Sequence, residues 1–263
     1  MSDKKKNTAG AEDGNIIRYA TIENLETLDY FTKEAYNSLR TNLRFSGADI
    51  VSVFVTSCQP NEGKSSISFE LARSLAEDGK RVILVDMDLR KSVMVGKRQI
   101  TTADKKELKG VSHYLSGQAE LPHVIYKTNV KNLEIIFSGP MSPNPTELIG
   151  GTRFEKMMKY LRETYDAVIV DTPPLGTVVD AALVAPHCDG AILLVQSNTV
   201  SYRFAQSVVR QIEASGCRML GVVLNKAETG RPGYYKGYGY GYYKRGYYRG
   251  YYSNTKDSGE KQE

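Results

Sequence analysis

The chain has 263 residues and a formal net charge of +5, which suits one α/β domain with flexible ends; so mild a charge does not by itself indicate nucleic-acid binding. Its three cysteines, Cys58, Cys188 and Cys217, are scattered and odd in number, which argues against a disulfide framework and, without ligand spacing, against zinc. No apolar run nears the ~18 residues needed to cross a bilayer, and the polar start lacks the apolar middle of a signal peptide, so a cytoplasmic protein is expected, brought to the membrane only by a partner.

Residues 1–25 are polar, Lys-rich at the start, and are expected to be disordered. Over 28–45, Phe31, Ala35, Leu39 and Leu43 recur near helical spacing and predict one amphipathic helix. Residues 50–56 read as a buried strand, followed by a Gly-Lys loop and a helix over 65–77 that stops near Gly79. Residues 81–86 form a second strand; 91–130 carry charge and little periodicity; 133–137 form another strand. A helix over 152–165 leads to strands over 167–171 and 190–195, a helix over 202–214 and a last strand over 219–224. Apolar strands alternating with helices imply an α/β fold: a mostly parallel central sheet with helices on both faces and right-handed crossovers.

The composition changes abruptly after residue 230. Ten of the 18 tyrosines fall here: Tyr234, Tyr235, Tyr238, Tyr240, Tyr242, Tyr243, Tyr247, Tyr248, Tyr251 and Tyr252. They are interleaved with Gly, Lys and Arg, with no aliphatic residue to build a core. Residues 231–263 are therefore expected to be a disordered C-terminal tail, leaving 26–230 as the folded domain.

The strongest chemical signal is Pro60-Asn61-Glu62-Gly63-Lys64-Ser65-Ser66, which joins a buried strand to a helix. Loop N–H groups and a helix N-terminus facing the same way make a phosphate site. Gly63 permits close backbone approach, Lys64 reaches the β and γ phosphates, Ser65 offers its hydroxyl to Mg²⁺ and Ser66 can touch the α phosphate. The usual pattern begins with Gly six positions before the lysine, where this chain has Cys58, so an ordinary strand–turn–helix remains open from this segment alone. Two further strands end in Asp86-Met87-Asp88-Leu89-Arg90 and in Asp171-Thr172-Pro173-Pro174. A single aspartate there is commonly a cap or turn residue. In a parallel sheet, however, all C-terminal strand ends share one edge. Lys64, Asp86, Asp88 and Asp171 can therefore converge, with the one or two carboxylates that Mg²⁺ takes. This predicts a P-loop NTPase fold with ATP and Mg²⁺ as cofactors.

These segments resemble the bacterial tyrosine kinases of capsule and exopolysaccharide systems, the CpsD/CapB-like group, from about Phe31 to Lys226 with the tyrosine-rich tail beyond. Residues 60–66 resemble that family's Walker A loop, 83–90 its second Walker motif of the form Asp-x-Asp-x-Arg, and 168–174 its Walker B. Residues 139–148 resemble a further loop of the group. The resemblance implies that Lys64, Asp86, Asp88 and Asp171 carry catalysis. Asp86 would orient or deprotonate the attacking phenol, and Ser65, Asp86 and Asp171 would surround the metal. It also offers Asn225 as a reader of the adenine edge. The ten tail tyrosines become phosphoacceptors in a ring-shaped homo-oligomer, with Glu34 and Arg40 on its oligomerisation surface. Asn37 replaces the first Arg of that surface motif, and Ser92 stands where a Pro often follows. Implied partners are a transmembrane adaptor that recruits and activates the kinase and a tyrosine phosphatase; no nucleic acid is expected.

The tail's chemistry fits a substrate, since tyrosine supplies the acceptor and glycine the freedom to enter a cleft. About 25 flexible residues span roughly 25–30 Å on average and about 80 Å fully extended, so geometry permits transfer within a chain or between chains. Three other readings compete. A partition-type (MinD/ParA-like) ATPase would carry a lysine five positions before Lys64, where this chain has Gln59. A nucleic-acid-binding tail would stack its tyrosines on bases. A non-catalytic scaffold that binds ATP to assemble with a partner is disfavoured by the intact Lys64, Asp86, Asp88 and Asp171. His113, His123 and His187 read as turn or surface residues.

Overall fold

A computed structural model describes residues 18–102 and 108–227; the tail tyrosines lie outside them. Nine strands form one sheet in the order β4-β1-β5-β6-β3-β7-β2-β8-β9. They are β1 (Arg18–Ile22), β2 (Ser52–Ser57), β3 (Val82–Asp86), β4 (Ile100–Thr102), β5 (Tyr126–Thr128), β6 (Leu133–Ile136), β7 (Ala167–Asp171), β8 (Gly190–Gln196) and β9 (Met219–Asn225). All neighbours pair in parallel except β1 with β4 and β5 with β6. The long helices are α1 (Tyr30–Phe45), α2 (Lys64–Glu77), α6 (Thr152–Thr164) and α8 (Tyr202–Ala214). Short helices α3 (Met94–Arg98), α4 (Val111–Leu115), α5 (Pro145–Ile149) and α7 (Asp180–Val184) lie between them. Among the described residues no helix is long and apolar enough to cross a membrane.

Strands β2, β3 and β7 are buried at every position, as expected of apolar strands covered on both faces. Their two-residue alternation divides the core. Phe54, Ile83, Val85, Val168 and Val170 pack with Phe154, Met157 and Leu161 of α6 and Val208 and Ile212 of α8. Val53, Val55, Leu84 and Ile169 pack with Phe69, Ala72 and Leu75 of α2. Each Val, Leu, Ile, Met or Phe among them contributes about 1.5–3 kcal/mol on burial, which concentrates the stabilisation on the central strands. Their shared direction puts the ends of β2, β3 and β7 on one edge, with Asp86 and Asp171 as register partners.

Three sequence expectations are corrected. Residues 18–25, read as part of a disordered lead, include β1, whose Ala20 and Ile22 are buried while Tyr19 and Thr21 face outward. The period-2 pattern is real but only five residues long. The stretch 91–130, read as irregular, holds α3, β4, α4 and β5; elements of three to five residues are too short to show a period. The helix predicted from residue 28 begins at Tyr30, because the Asp29 carboxylate caps it by accepting the Thr32 N–H at 3.0 Å.

Candidate active site

The loop between β2 and α2 is shaped by its own side chains. Gly63 sits at φ 102°, and a Cβ there would lie 2.4 Å from the Asn225 amide nitrogen, so both conformation and space require glycine. The buried Glu62 carboxylate accepts the Gln59 N–H at 2.7 Å and the Gln196 N–H at 3.0 Å. Asn225 donates its side-chain amide to the Glu62 carbonyl at 2.7 Å. These bonds staple the loop to β8 and β9 and satisfy groups that would be costly to bury alone. Pro60 and Asn61 are exposed, with Asn61 at a left-handed φ of 64°.

Lys64, the first residue of α2, is buried. Burial pushes its pKa down, and the charges of Asp171, Asp88 and Glu62 act in the opposite direction. Beyond it, Ser65 hydrogen-bonds to Asp171, Ser68 donates to Asp171 Oδ1 at 3.0 Å, and Ser66 Oγ lies 2.5 Å from Lys97 Nζ.

Asp86 and Asp171 are each 1 % exposed. Burial, and then the charge of Asp171, push the Asp86 carboxyl well above the usual range. Burial also raises Asp171, against opposing pulls from Ser65, Lys64 and Ser68. Asp86 accepts the Asp88 N–H at 3.1 Å on one oxygen and the Ser92 hydroxyl on the other. Asp88 closes the next turn, accepting the N–H groups of Arg90 at 3.2 Å and Lys91 at 2.9 Å. Arg90 reaches α7. It donates two bonds, at 2.5 and 3.0 Å, to the buried Asp180 at the start of α7, which also accepts from Thr146 of α5 at 3.2 Å. The Arg of the second Walker-like motif therefore braces the turn that carries both aspartates.

A cavity of about 590 Å³ opens beside this turn, with Asp88, Ser92, Phe137, Pro140 and Met141 in its wall. Among the described residues no group of three or more His, Cys, Asp or Glu could enclose a metal by itself. The donor set nevertheless suits Mg²⁺: hard oxygens from one hydroxyl and two carboxylates, the remaining positions falling to water and phosphate. Two adjacent carboxylates buried at a sheet edge also lack sufficient neutralising charge of their own, which a divalent cation would supply.

The structure thus brings Gly63, Lys64, Ser65, Ser66, Asp86, Asp88, Asp171 and Asn225 to one edge. Glu34 and Arg40 lie elsewhere, on α1. Glu34 accepts the Asn37 amide at 2.9 Å, while Arg40 donates to the Ser74 carbonyl at 2.9 Å and pairs with Asp78 at 3.6 Å, tying α1 to α2. His113 accepts the Gly110 N–H at 3.2 Å and His187 meets Phe154 edge-on, which are structural roles. Sequence reasoning missed Asp180, Glu70, Lys97 and Arg98. Asp180 carries no motif, Glu70 reads as an ordinary helix charge, and Lys97 and Arg98 fall in the stretch read as irregular.

Residues 59–217 match the AAA domain family. The tyrosine-protein kinase CpsD of Streptococcus agalactiae is 40 % identical over 210 residues, which is 79 % of this chain and 90 % of that protein. The crystal structure of the chimerical protein CapA2B2 superposes with a TM-score of 0.68 at 32 % identity, covering 74 % of this chain and 84 % of that one. The septum site-determining protein MinD of Pyrococcus horikoshii shares the fold alone, with a TM-score of 0.56 at 22 % identity over 66 % of this chain and 69 % of its own. The chain belongs to the bacterial tyrosine-protein kinases of the CpsD/CapB type, built on a nucleotide-binding AAA-type P-loop domain.

Proposed function

We propose that this protein transfers the γ-phosphoryl group of Mg²⁺–ATP to the tyrosines of its own segment 234–252, between neighbouring copies in a ring. In doing so it would regulate capsular or extracellular polysaccharide synthesis and export. The observation that carries the reading is the convergence of Lys64 and Ser65 with Asp86, Asp88 and Asp171 at one sheet edge, in a chain that also carries ten clustered tyrosines. A transmembrane adaptor that recruits the kinase to the inner face of the membrane, and a phosphatase that resets it, complete the proposed cycle.

Phosphoryl transfer asks mainly for positioning and charge neutralisation. Lys64 faces the β and γ phosphates from the first turn of α2. Ser65, Asp171 and Asp86 would hold Mg²⁺, which when bound neutralises charge on those phosphates. The acceptor phenol approaches through the cavity beside Asp88, between the apolar walls of Phe137, Pro140 and Met141. Asp86, directly or through Ser92, takes the phenol proton as the oxygen attacks the γ phosphorus and the bond to the bridging oxygen of ADP breaks. Asn225 holds the loop through the Glu62 carbonyl; its remaining amide oxygen is the group offered to adenine.

Mixing two chains, neither of which can label itself, tests the transfer. Full-length Lys64→Met, which keeps the tyrosines, is incubated with Mg²⁺–ATP, the adaptor's activating segment and a chain whose ten tail tyrosines are Phe. Phosphotyrosine on the Lys64→Met chain supports transfer between copies. Its absence, when native protein labels itself, restricts transfer to a single chain.

A further inference from the structure

Lys97 stands out from the other surface lysines by where its ammonium is held. It lies on α3, after the Asp86–Arg90 turn, and its Nζ is 2.5 Å from Ser66 Oγ, the third residue of α2. No carboxylate among the described residues pairs with it. A lone ammonium is therefore fixed on a hydroxyl at the phosphate-facing end of a helix, where anions are favoured and cations are not. In this sequence Ser66 is the hydroxyl expected to meet the α phosphate.

The backbone beneath Lys97 is pinned from three sides. The adjacent Arg98 is 2 % exposed, pairs with Glu70 of α2 at 2.9 Å and lies over the Phe69 ring at 4.1 Å. From the segment before α1, Asn24 donates its side-chain amide to the Lys97 carbonyl at 3.0 Å and its N–H to the Arg98 carbonyl at 3.1 Å. Gln99 then reverses the chain at a left-handed φ of 49°. Arg98 thus anchors α3 to the helix that carries Ser65 and Ser66, and this anchorage presents Lys97 over the α2 N-terminus.

We propose that Lys97 is a second cation of the nucleotide site, binding the α-phosphate end of a nucleoside di- or triphosphate from across α3 while Lys64 holds the β–γ end. The proposal rests on the nucleotide-binding reading of the loop and adds to it a residue outside all three Walker-like motifs. Because ADP keeps the α phosphate, Lys97 serves substrate and product alike and leaves the transferring group to Lys64 and the aspartates. Its removal should raise KM for ATP more than it lowers kcat.

The test is the affinity of the full-length protein for ATP and for ADP, with Mg²⁺, by calorimetry for native, Lys97→Gln and Lys97→Arg chains at two salt concentrations. A charged contact at an exposed site predicts about a three- to five-fold loss for Lys97→Gln with both nucleotides. Lys97→Arg should stay near native, and the loss should shrink at high salt as the charge is screened. A purely structural role for Lys97 would give a loss insensitive to salt and would overturn the proposal, as would unchanged ADP affinity in Lys97→Gln. Native protein that binds neither nucleotide would overturn the nucleotide reading itself; native binding with an unaffected variant overturns only the role of Lys97.

Discussion

Asp86 and Asp171 end adjacent parallel strands as register partners, both almost wholly buried. Without a cation this arrangement works against folding, because both carboxyls bind protons more tightly folded than unfolded. A raised folded-state pKa contributes stability at low pH, and that contribution is lost as pH rises from the ordinary carboxylate range through the raised one.

Asp86→Asn is therefore expected to raise the melting temperature of the nucleotide-free protein, by more at pH 8 than at pH 5. The same change should cut tyrosine phosphorylation by about 10²–10⁴-fold through loss of the proton acceptor. Thermal melts across pH, paired with a phosphotyrosine assay, check both. A variant less stable than native at pH 8 would refute the account of the pair.

Glu62 tests whether the phosphate loop is preorganised. Glu62→Ala removes the acceptor shared by the part-buried Gln59 and Gln196 N–H groups, at about 0.5–1.5 kcal/mol for each lost bond. At ~2–4 °C per kcal/mol for a domain of this size, melting should fall measurably and ATP affinity with it. Glu62→Gln, which keeps one acceptor oxygen, should fall in between.

The Arg98–Glu70 pair is buried on both sides at 3 % exposure or less. Arg98→Met strands the Glu70 carboxylate with only Arg73, 3.5 Å away, and should cost about 3–5 kcal/mol. Burial already holds the Glu70 carboxyl up, against the pulls of Arg98 and Arg73. Losing Arg98 raises it further, so the deficit should widen as pH climbs above the carboxylate range. Denaturant unfolding at pH 5 and pH 8 measures this, and adding Glu70→Leu should recover much of the loss.

The sequence made the middle of the molecule legible and its flanks obscure. Strands β2, β3 and β7 are largely apolar runs ending in Ser57, Asp86 and Asp171, so their shared edge is legible in the sequence. Strand β1 could not, since its pattern rests on Ala20 and Ile22 alone. The site shows the same division. Lys64, Asp86 and Asp171 were found because a motif states the residue types that phosphate chemistry needs. The motif does not say which side chains face the ligand and which hold the loop. Glu62, expected at ATP, spends its carboxylate on Gln59 and Gln196, and Arg90 spends its guanidinium on Asp180. The contacts with Gln196 and Asp180 join residues 90 or more apart and leave no local signal.

The most direct test of tyrosine autophosphorylation is intact mass with peptide mapping after incubation with Mg²⁺–ATP and the adaptor's activating segment, for native chain and Lys64→Met. The account predicts several phosphoryl additions confined to tyrosines 234–252 in the native chain and none in Lys64→Met. ATP hydrolysis by the native chain with no added mass would contradict it, and would move the partition-type ATPase reading ahead.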